Sequence, residues 1–164
     1  MIGRLWRNIR LLFLIGLANG APVLAKKLLG ARFSLPVDSG TTAPDHQAFF
    51  GSSKTLRGVV LSVLLTALGG WSLGFPFGKA ALIGSGAMAG DLFSSFCKRR
   101  LRLPTSSKAL VLDQVPESLF PLLLCRRSLS LDVLDILLIV VGFFLGELAI
   151  SKVLYRFHLR DQPY

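Results

Sequence analysis

The sequence predicts an all-α integral membrane protein with about five transmembrane helices. Hydrophobic residues make up 52% of the 164 residues and charged residues only 17%, whereas a typical soluble domain carries about 25% charged residues. The apolar residues lie in long runs, and a membrane-spanning helix needs roughly 20 of them. The mean hydropathy of +0.59 agrees with this class. We therefore expect one membrane domain covering residues 1–164, with a charged cavity on its cytosolic side.

Two of the five spans are predicted by composition alone. Residues 58–77 carry no charge, and residues 133–155 form a second long apolar run that contains Glu147. The other three runs are shorter or carry polar groups, so they depend on neighbouring helices: 9–25, 80–97 and 109–125. Asn19 and Pro22 are expected to interrupt the first of them.

Glycines recur at a spacing of four along the predicted spans. Such pairs allow membrane helices to approach closely, so they predict packing contacts and carry no functional information. The pairs are Gly16/Gly20, Gly70/Gly74, Gly86/Gly90 and Gly142/Gly146.

Basic residues divide unevenly between the two sides of the predicted bundle. One side carries thirteen of the nineteen lysines and arginines, which predicts that it faces the cytosol. Arg4, Arg7 and Arg10 lie on the other side; their spacing of three places them on one helix face, along the membrane interface. The thirteen are Lys26, Lys27, Arg32, Lys54, Arg57, Lys98, Arg99, Arg100, Arg102, Lys108, Lys152, Arg156 and Arg160.

The charge and the cysteines exclude several function classes. The net charge of +10 is explained by cytosolic loops together with anionic lipid or phosphate ligands, and no basic strip with interleaved aromatic residues predicts nucleic-acid binding. Cys97 and Cys125 lack metal-ligand spacing and form no disulfide framework. His46 and His158 have no partners that would indicate zinc.

The stretch GDLFSSFCKRR, residues 90–100, places one carboxylate in a membrane helix ahead of three bases. From Asp91, Ser95 is at i+4 and Lys98 at i+7, so all three side chains project from one face. An intramembrane carboxylate is costly and marks a functional site by default. The alternative is an aspartate bonded to neighbouring helices, followed by a cytosolic anchor of bases.

Two further clusters fall on the same side of the predicted bundle. Lys54 and Arg57 precede the second span, where a helix N-terminus attracts anions; the stretch lacks the phosphate-loop pattern of nucleotide hydrolases. Asp113 begins the fourth span, with Glu117 four residues later. Two carboxylates from two helices are suitable ligands for Mg²⁺, which also takes water and substrate phosphate. Asp38, in a Pro/Gly loop, is either a turn former or a site residue.

These residues, taken together, resemble a family of membrane nucleotidyltransferases. Gly90, Asp91, Ser95, Lys98 and Arg99 match the G-D-x-x-x-S-x-x-K-R element of CTP-dependent lipid cytidylyltransferases. The ordered set over residues 19–117 is similar to the CDP-archaeol synthase family, and the ending DQVPES is similar to its bacterial members. That set is Asn19/Pro22, Pro36/Asp38/Gly40, Lys54/Thr55/Arg57/Gly58, Gly90/Asp91 and Asp113/Gln114.

The resemblance implies a reaction and a set of roles. CMP would pass from CTP to a lipid phosphate, giving a CDP-lipid (CDP-archaeol-like or CDP-diacylglycerol) and pyrophosphate, with Mg²⁺ on Asp91 and Asp113. Lys54 and Arg57 would complete the catalytic set. The substrate-binding residues would be Asn19, Asp38, Thr55, Ser95, Lys98, Arg99 and Gln114.

The same resemblance implies a location in the bacterial inner (plasma) membrane, with the active site facing the cytosol. A homodimer is an open alternative to a monomer. A non-catalytic small membrane protein, such as an assembly factor or a transporter subunit, is the competing hypothesis, in which Asp91 and Glu147 form structural bonds or a cation path.

Overall fold

The computed structural model describes residues 2–105, 107 and 109–156, the last five of them by their backbone alone. Lys108 and Arg160, which enter the charge count, lie outside the described residues, as do the side chains of Lys152 and Arg156.

Five α-helices account for nearly all regular structure in the described part of the chain, and the predicted all-α membrane class is confirmed. Three helices, α1, α3 and α5, are long and apolar enough to cross a membrane, and the 17-residue α2 is shorter but apolar. Two isolated β-bridges lie in the connection between the first two helices. The helices are α1 (Ile2–Leu29), α2 (Leu56–Ser72), α3 (Phe77–Arg100), α4 (Leu110–Cys125) and α5 (Val133–Arg156).

The first helix is continuous, so the expected interruption at Asn19 and Pro22 was wrong. Proline has no N–H for the carbonyl four residues earlier, and in a membrane that carbonyl must find another donor. The Ser62 hydroxyl of α2 donates to the Ala18 carbonyl at 2.7 Å, which supplies this bond from the neighbouring helix. The Asn19 side chain donates to the Ile15 carbonyl at 3.1 Å, within its own helix.

The second helix ends at Ser72, five residues before the predicted limit of 77. Leu73 caps it, and Gly74 has a positive φ of 86°, a left-handed conformation that glycine adopts readily. Pro76 then disfavours helical geometry at the residue before it and opens α3. Residues 73–76 thus form a tight turn between two helices, and Phe77 begins α3.

One predicted glycine pair forms the contact between α3 and α4. A Cβ on Gly86 would come within 2.6 Å of the Pro121 Cα, and one on Gly90 within 2.8 Å of the Glu117 Cα and closer still to the Pro116 carbonyl. By contrast, the Gly16/Gly20 pair faces open space. In each of the other two pairs only the first glycine meets a neighbouring helix: a Cβ on Gly70 would come within 2.3 Å of the Ala80 Cβ, and one on Gly142 within 3.6 Å of Leu12. Spacing alone therefore predicted one full pair contact correctly, two in part and one wrongly.

The N-terminal arginines have partners that the sequence analysis did not assign. Arg7 pairs with Asp135 of α5 at 2.6 Å, and Arg4 pairs with Asp132 and Asp135. Arg10 donates to the Leu73 carbonyl at 3.1 Å. These contacts neutralise part of the basic charge at this end of the bundle, which explains how three arginines can oppose the general charge bias.

We predict that Ser62→Ala destabilises the protein by about 1–3 kcal/mol, because it leaves the Ala18 carbonyl buried without a donor. The loss should largely disappear in a Pro22→Ala background, where the new alanine provides a backbone N–H for that carbonyl. Denaturant unfolding in detergent, run as a double-mutant cycle, measures the coupling. Ser72→Ala, at the exposed end of the same helix, is the matched control. Purely additive effects of the two substitutions would contradict the assignment.

Candidate functional site

Asp91 and Asp113 lie on facing turns of α3 and α4, at the end of the bundle away from the N-terminal arginines. The Ser94 hydroxyl of α3 donates to the Asp113 carboxylate of α4 at 2.7 Å. One turn away, Glu117 of α4 packs against Gly90 of α3, the residue before Asp91. Because the helices run antiparallel, the two contacts are separated by about one helical turn, roughly 5.4 Å along the axis.

Each of these aspartates has a lysine as its partner. The Lys54 Nζ is 2.5 Å from Asp91 Oδ1, and the Lys98 Nζ is 2.6 Å from Asp113 Oδ1. The two carboxylates keep 18% and 24% of their side-chain surface exposed. They are therefore within reach of a ligand, although they are surrounded mainly by protein.

Asp113 is oriented by its own helix as well as by α3. Its Oδ2 accepts a hydrogen bond from the Ala109 backbone N–H at 2.9 Å, one of the donors that the start of α4 leaves without a helical partner. Its Oδ1 accepts from Ser94 and Lys98. Asp113 is thus held at a helix N-terminus, where the helix dipole favours a negative charge.

Lys54 is positioned by the backbone that leads into α2. The Val37 N–H donates to the Lys54 carbonyl at 2.8 Å, and the Lys54 N–H donates to the Gly51 carbonyl at 3.1 Å. Thr55 is the N-cap of α2, and its hydroxyl accepts from the Gly58 N–H at 3.3 Å. The predicted Lys-Thr element therefore aims the lysine across to α3 while the threonine caps the helix.

Arg57 does not join the carboxylates. Its guanidinium donates to the Gly30 carbonyl at 2.7 Å and to the Arg32 carbonyl. It braces the start of the connection between α1 and α2, which runs over residues 30–55.

The bases at the end of α3 bind the two loops of this end. Arg99 donates to the Pro104 carbonyl at 2.7 Å, and Arg100 pairs with Asp45 at 2.6 Å. Lys98 bonds to a site carboxylate, and it also donates to the Ser107 carbonyl at 2.9 Å. Of the three expected bases, Arg99 and Arg100 therefore anchor loops, and Lys98 contacts both a loop and the site.

Asp38 organises the 30–55 connection. Its carboxylate accepts from the backbone N–H groups of Phe50 and Gly51, both at 2.9 Å, and of Gly40 at 3.1 Å. Burial alone would raise the pKa of Asp38, but these backbone donors outweigh it and lower the pKa below its ordinary value of 3.8. The ionised Asp38 carboxylate therefore stabilises the folded connection above about pH 3.8. This stabilisation is lost as the pH falls through the lower pKa of Asp38 in the folded state.

Three other predicted residues lie within the bundle, and two unpredicted ones join the carboxylates. Ser95 and Gln114 are buried, and the Gln114 Oε1 accepts no hydrogen bond from the described residues; Asn19 bonds to its own helix. Ser94 and Glu117 were not predicted from the sequence as site residues. The i+4 spacing from Asp113 carried a signal for Glu117, whereas Ser94 depends on the register of α3 against α4.

The donor set suits a hard divalent cation that also takes substrate oxygens. Carboxylate oxygens are the ligands that Mg²⁺ prefers, and it commonly takes only one or two of them together with phosphate and water. Within the described residues, no group of three or more His, Cys, Asp or Glu side chains converges as a cation site. A cation held by Asp91 and Asp113 would take its other oxygens from phosphate or water.

Comparison with known proteins adds a family to this geometry. Residues 72–164 match the family model described as CarS-like CDP-archaeol synthase. The CDP-archaeol synthase of Pyrobaculum calidifontis is 32% identical over 152 residues, which cover 90% of each chain, and that of Pyrobaculum arsenaticum is 36% identical over 85% of this chain and 81% of its own.

The chain belongs to the CDP-archaeol synthase family. A solved structure, described as an intramembrane enzyme for archaeal membrane lipids biosynthesis, is similar to it, with a TM-score of 0.70 and 27% identity over 87% of this chain and 91% of that one. The predicted family and the expectation of a membrane-embedded enzyme are confirmed. The competing hypothesis of a non-catalytic membrane protein does not account for this membership.

We predict that Asp38→Ala loosens the 30–55 connection, because three backbone N–H groups lose their acceptor. Amide hydrogen exchange at Phe50 and Gly51 should become at least about tenfold faster at neutral pH, since each charge-assisted bond contributes roughly 1.5–3 kcal/mol. Wild-type protein brought well below pH 3.8 should show the same loss after correction for intrinsic exchange. Unchanged protection in the variant would show that Asp38 does not hold this loop.

Proposed function

We propose that the cluster around Asp91 and Asp113 is the place where CTP reacts with a lipid phosphate. As a member of the CDP-archaeol synthase family, the chain is a CTP-dependent lipid cytidylyltransferase. An oxygen of the lipid phosphate forms a bond to the α-phosphorus of CTP, and the bond between that phosphorus and the oxygen bridging it to the β-phosphate breaks. The products are a CDP-lipid and pyrophosphate.

The proposal rests on two ion pairs. Lys54, in the segment before α2, pairs with Asp91 of α3, and Lys98 of α3 pairs with Asp113 of α4. Asp91 and Asp113 supply carboxylate oxygens for a divalent cation, and Lys54 and Lys98 supply ammonium groups for phosphate oxygens. Bound Mg²⁺ would neutralise phosphate charge and orient the α-phosphate for in-line attack. A lipid phosphate is ionised at neutral pH, so the reaction requires no general base from the chain.

The remaining predicted residues divide into two groups. Ser95 and Gln114, which are buried in the bundle, are proposed to contact substrate together with Lys98 and with Asn19 of α1. Asp38, Thr55, Arg57 and Arg99 are proposed to act indirectly, because their side chains already hold the loops and helix ends that frame the site.

We further propose that the site opens to the cytosol. Among the described residues, lysines and arginines are more numerous at the site end of the bundle, which is the pattern of cytosolic loops, and CTP is a cytosolic nucleotide. The plasma membrane of a bacterium stays our prediction for the location. The lipid chains, archaeol-like or diacylglycerol, would lie against the apolar helix faces that surround the bundle.

We predict that Asp91→Asn and Asp113→Asn each lower the rate of CDP-lipid formation by at least about a hundredfold, since each removes a charge from the site. Purified protein, radiolabelled CTP and a panel of lipid phosphates with archaeol or diacyl chains measure the rate and the lipid preference together.

Asp132→Asn, at the opposite end of the bundle, is the matched control and should keep the wild-type rate. Chromatographic profiles in detergent show whether each variant folds. Wild-type turnover in folded Asp91→Asn or Asp113→Asn would remove that residue from the proposed site.

Cysteine labelling tests the orientation. In a background without Cys97 and Cys125, Ser52→Cys at the site end should resist an impermeant thiol reagent in intact cells and react after lysis. Ser128→Cys, exposed at the other end, should react in intact cells. The reverse pattern would place the site outside the cytosol.

A further inference from the structure

We infer that Lys54 and Lys98 are resident counter-ions that couple cation binding to nucleotide binding. They neutralise Asp91 and Asp113 before ligands bind and transfer to the triphosphate when cation and CTP arrive together. This inference rests on the proposed function and specifies how the same site selects its ligands.

The lysine ammonium groups and a cation compete for the same carboxylate oxygens. Each lysine ammonium lies within 2.6 Å of one carboxylate oxygen, which is the position a cation ligand must offer. The Asp113 Oδ2 is also occupied, by the Ala109 N–H. A divalent cation that enters alone must therefore displace an ammonium group, which then loses its anionic partner.

Leaving a partly buried charge unpaired is unfavourable in free energy. If CTP alone drew the lysines away, the aspartates would remain partly buried without an oppositely charged partner, which is strongly unfavourable. When cation and triphosphate bind together, each aspartate gains the cation and each lysine gains phosphate oxygens. Thermodynamic linkage then requires that each ligand raises the affinity for the other by the same factor.

The two lysines hold less of the loop backbone than the neighbouring arginines do. The Lys54 ammonium bonds to Asp91, and the Lys98 ammonium bonds to Asp113 and to one loop carbonyl, that of Ser107. Arg57, Arg99 and Arg100 donate to backbone carbonyls that hold the loops, so moving them would cost loop structure. A lysine has a flexible stem and a single ammonium group that can turn between partners.

Replacing Lys54 should strengthen the binding of a cation alone, whereas replacing a residue that only holds ligands would weaken it. Lys54→Met should bind Mn²⁺ alone about tenfold more tightly than wild type, because Asp91 then has no resident counter-ion. The same variant should bind Mn²⁺ with CTP more weakly, because one phosphate contact is lost. Electron paramagnetic resonance of free Mn²⁺, measured with purified protein in detergent, gives the first quantity without any turnover. Equilibrium dialysis with radiolabelled CTP gives the second.

Matched variants make the result specific to this pair. Lys26→Met removes the same charge from the exposed end of α1 and should change Mn²⁺ affinity by less than about twofold, since exposed charges are screened. Asp91→Asn should abolish the tight Mn²⁺ binding in the Lys54→Met background. Lys54→Gln repeats the test with a polar side chain if the methionine variant does not fold.

Two outcomes would overturn the inference, and they differ from a failure of the proposed function. Unchanged or weaker Mn²⁺ binding in folded Lys54→Met and Lys54→Gln shows that the lysine does not compete with the cation. An equal increase of Mn²⁺ affinity in Lys26→Met would show that the loss of any nearby positive charge has this effect, and that the ion pair of Lys54 with Asp91 is not its cause. If wild-type protein binds no CTP at millimolar nucleotide with Mn²⁺ present, the proposed function itself fails.

Discussion

The close approach of α3 and α4 is the constraint on which the site depends. Gly86 and Gly90 leave no room for a side chain against Pro121 and Pro116, so the two helix backbones touch. That contact brings carboxylates from different helices into one cluster, where neither helix alone could supply both. Their mutual repulsion is tolerated because each is paired with a lysine, one from α3 and one from the segment before α2.

The polar groups inside the bundle are satisfied across helices in the same way. A proline in a membrane helix frees a carbonyl, and here the freed carbonyl of Ala18 becomes the acceptor that ties α1 to α2. At the site end, helix and loop backbone groups are satisfied by side chains such as Asp38, Arg57 and Arg99. Several of the conspicuous charges are therefore committed to structure, whereas the two lysines lie against the carboxylates.

The sequence predicted the helices and the cluster for physical reasons that also explain its errors. Long apolar runs and charge bias depend on local composition, so five helices and a common end for Lys54, Asp91 and Asp113 could be foreseen. The end of α2 and the continuity of α1 depend on a positive φ at Gly74 and on a hydroxyl from another helix, which composition does not encode. Ser94 was missed in favour of Ser95 because only the register of α3 against α4 decides which hydroxyl meets Asp113.

The contact between Arg7 and Asp135 has a consequence for how the protein is made. It joins the first helix of the bundle to the last, at the end opposite the site. During synthesis α1 leaves the ribosome long before α5, so its arginines face the membrane surface without their carboxylate partners for most of translation. The bundle closes only when the last helix inserts, and a nascent chain that stops short of it keeps an open seam along α1.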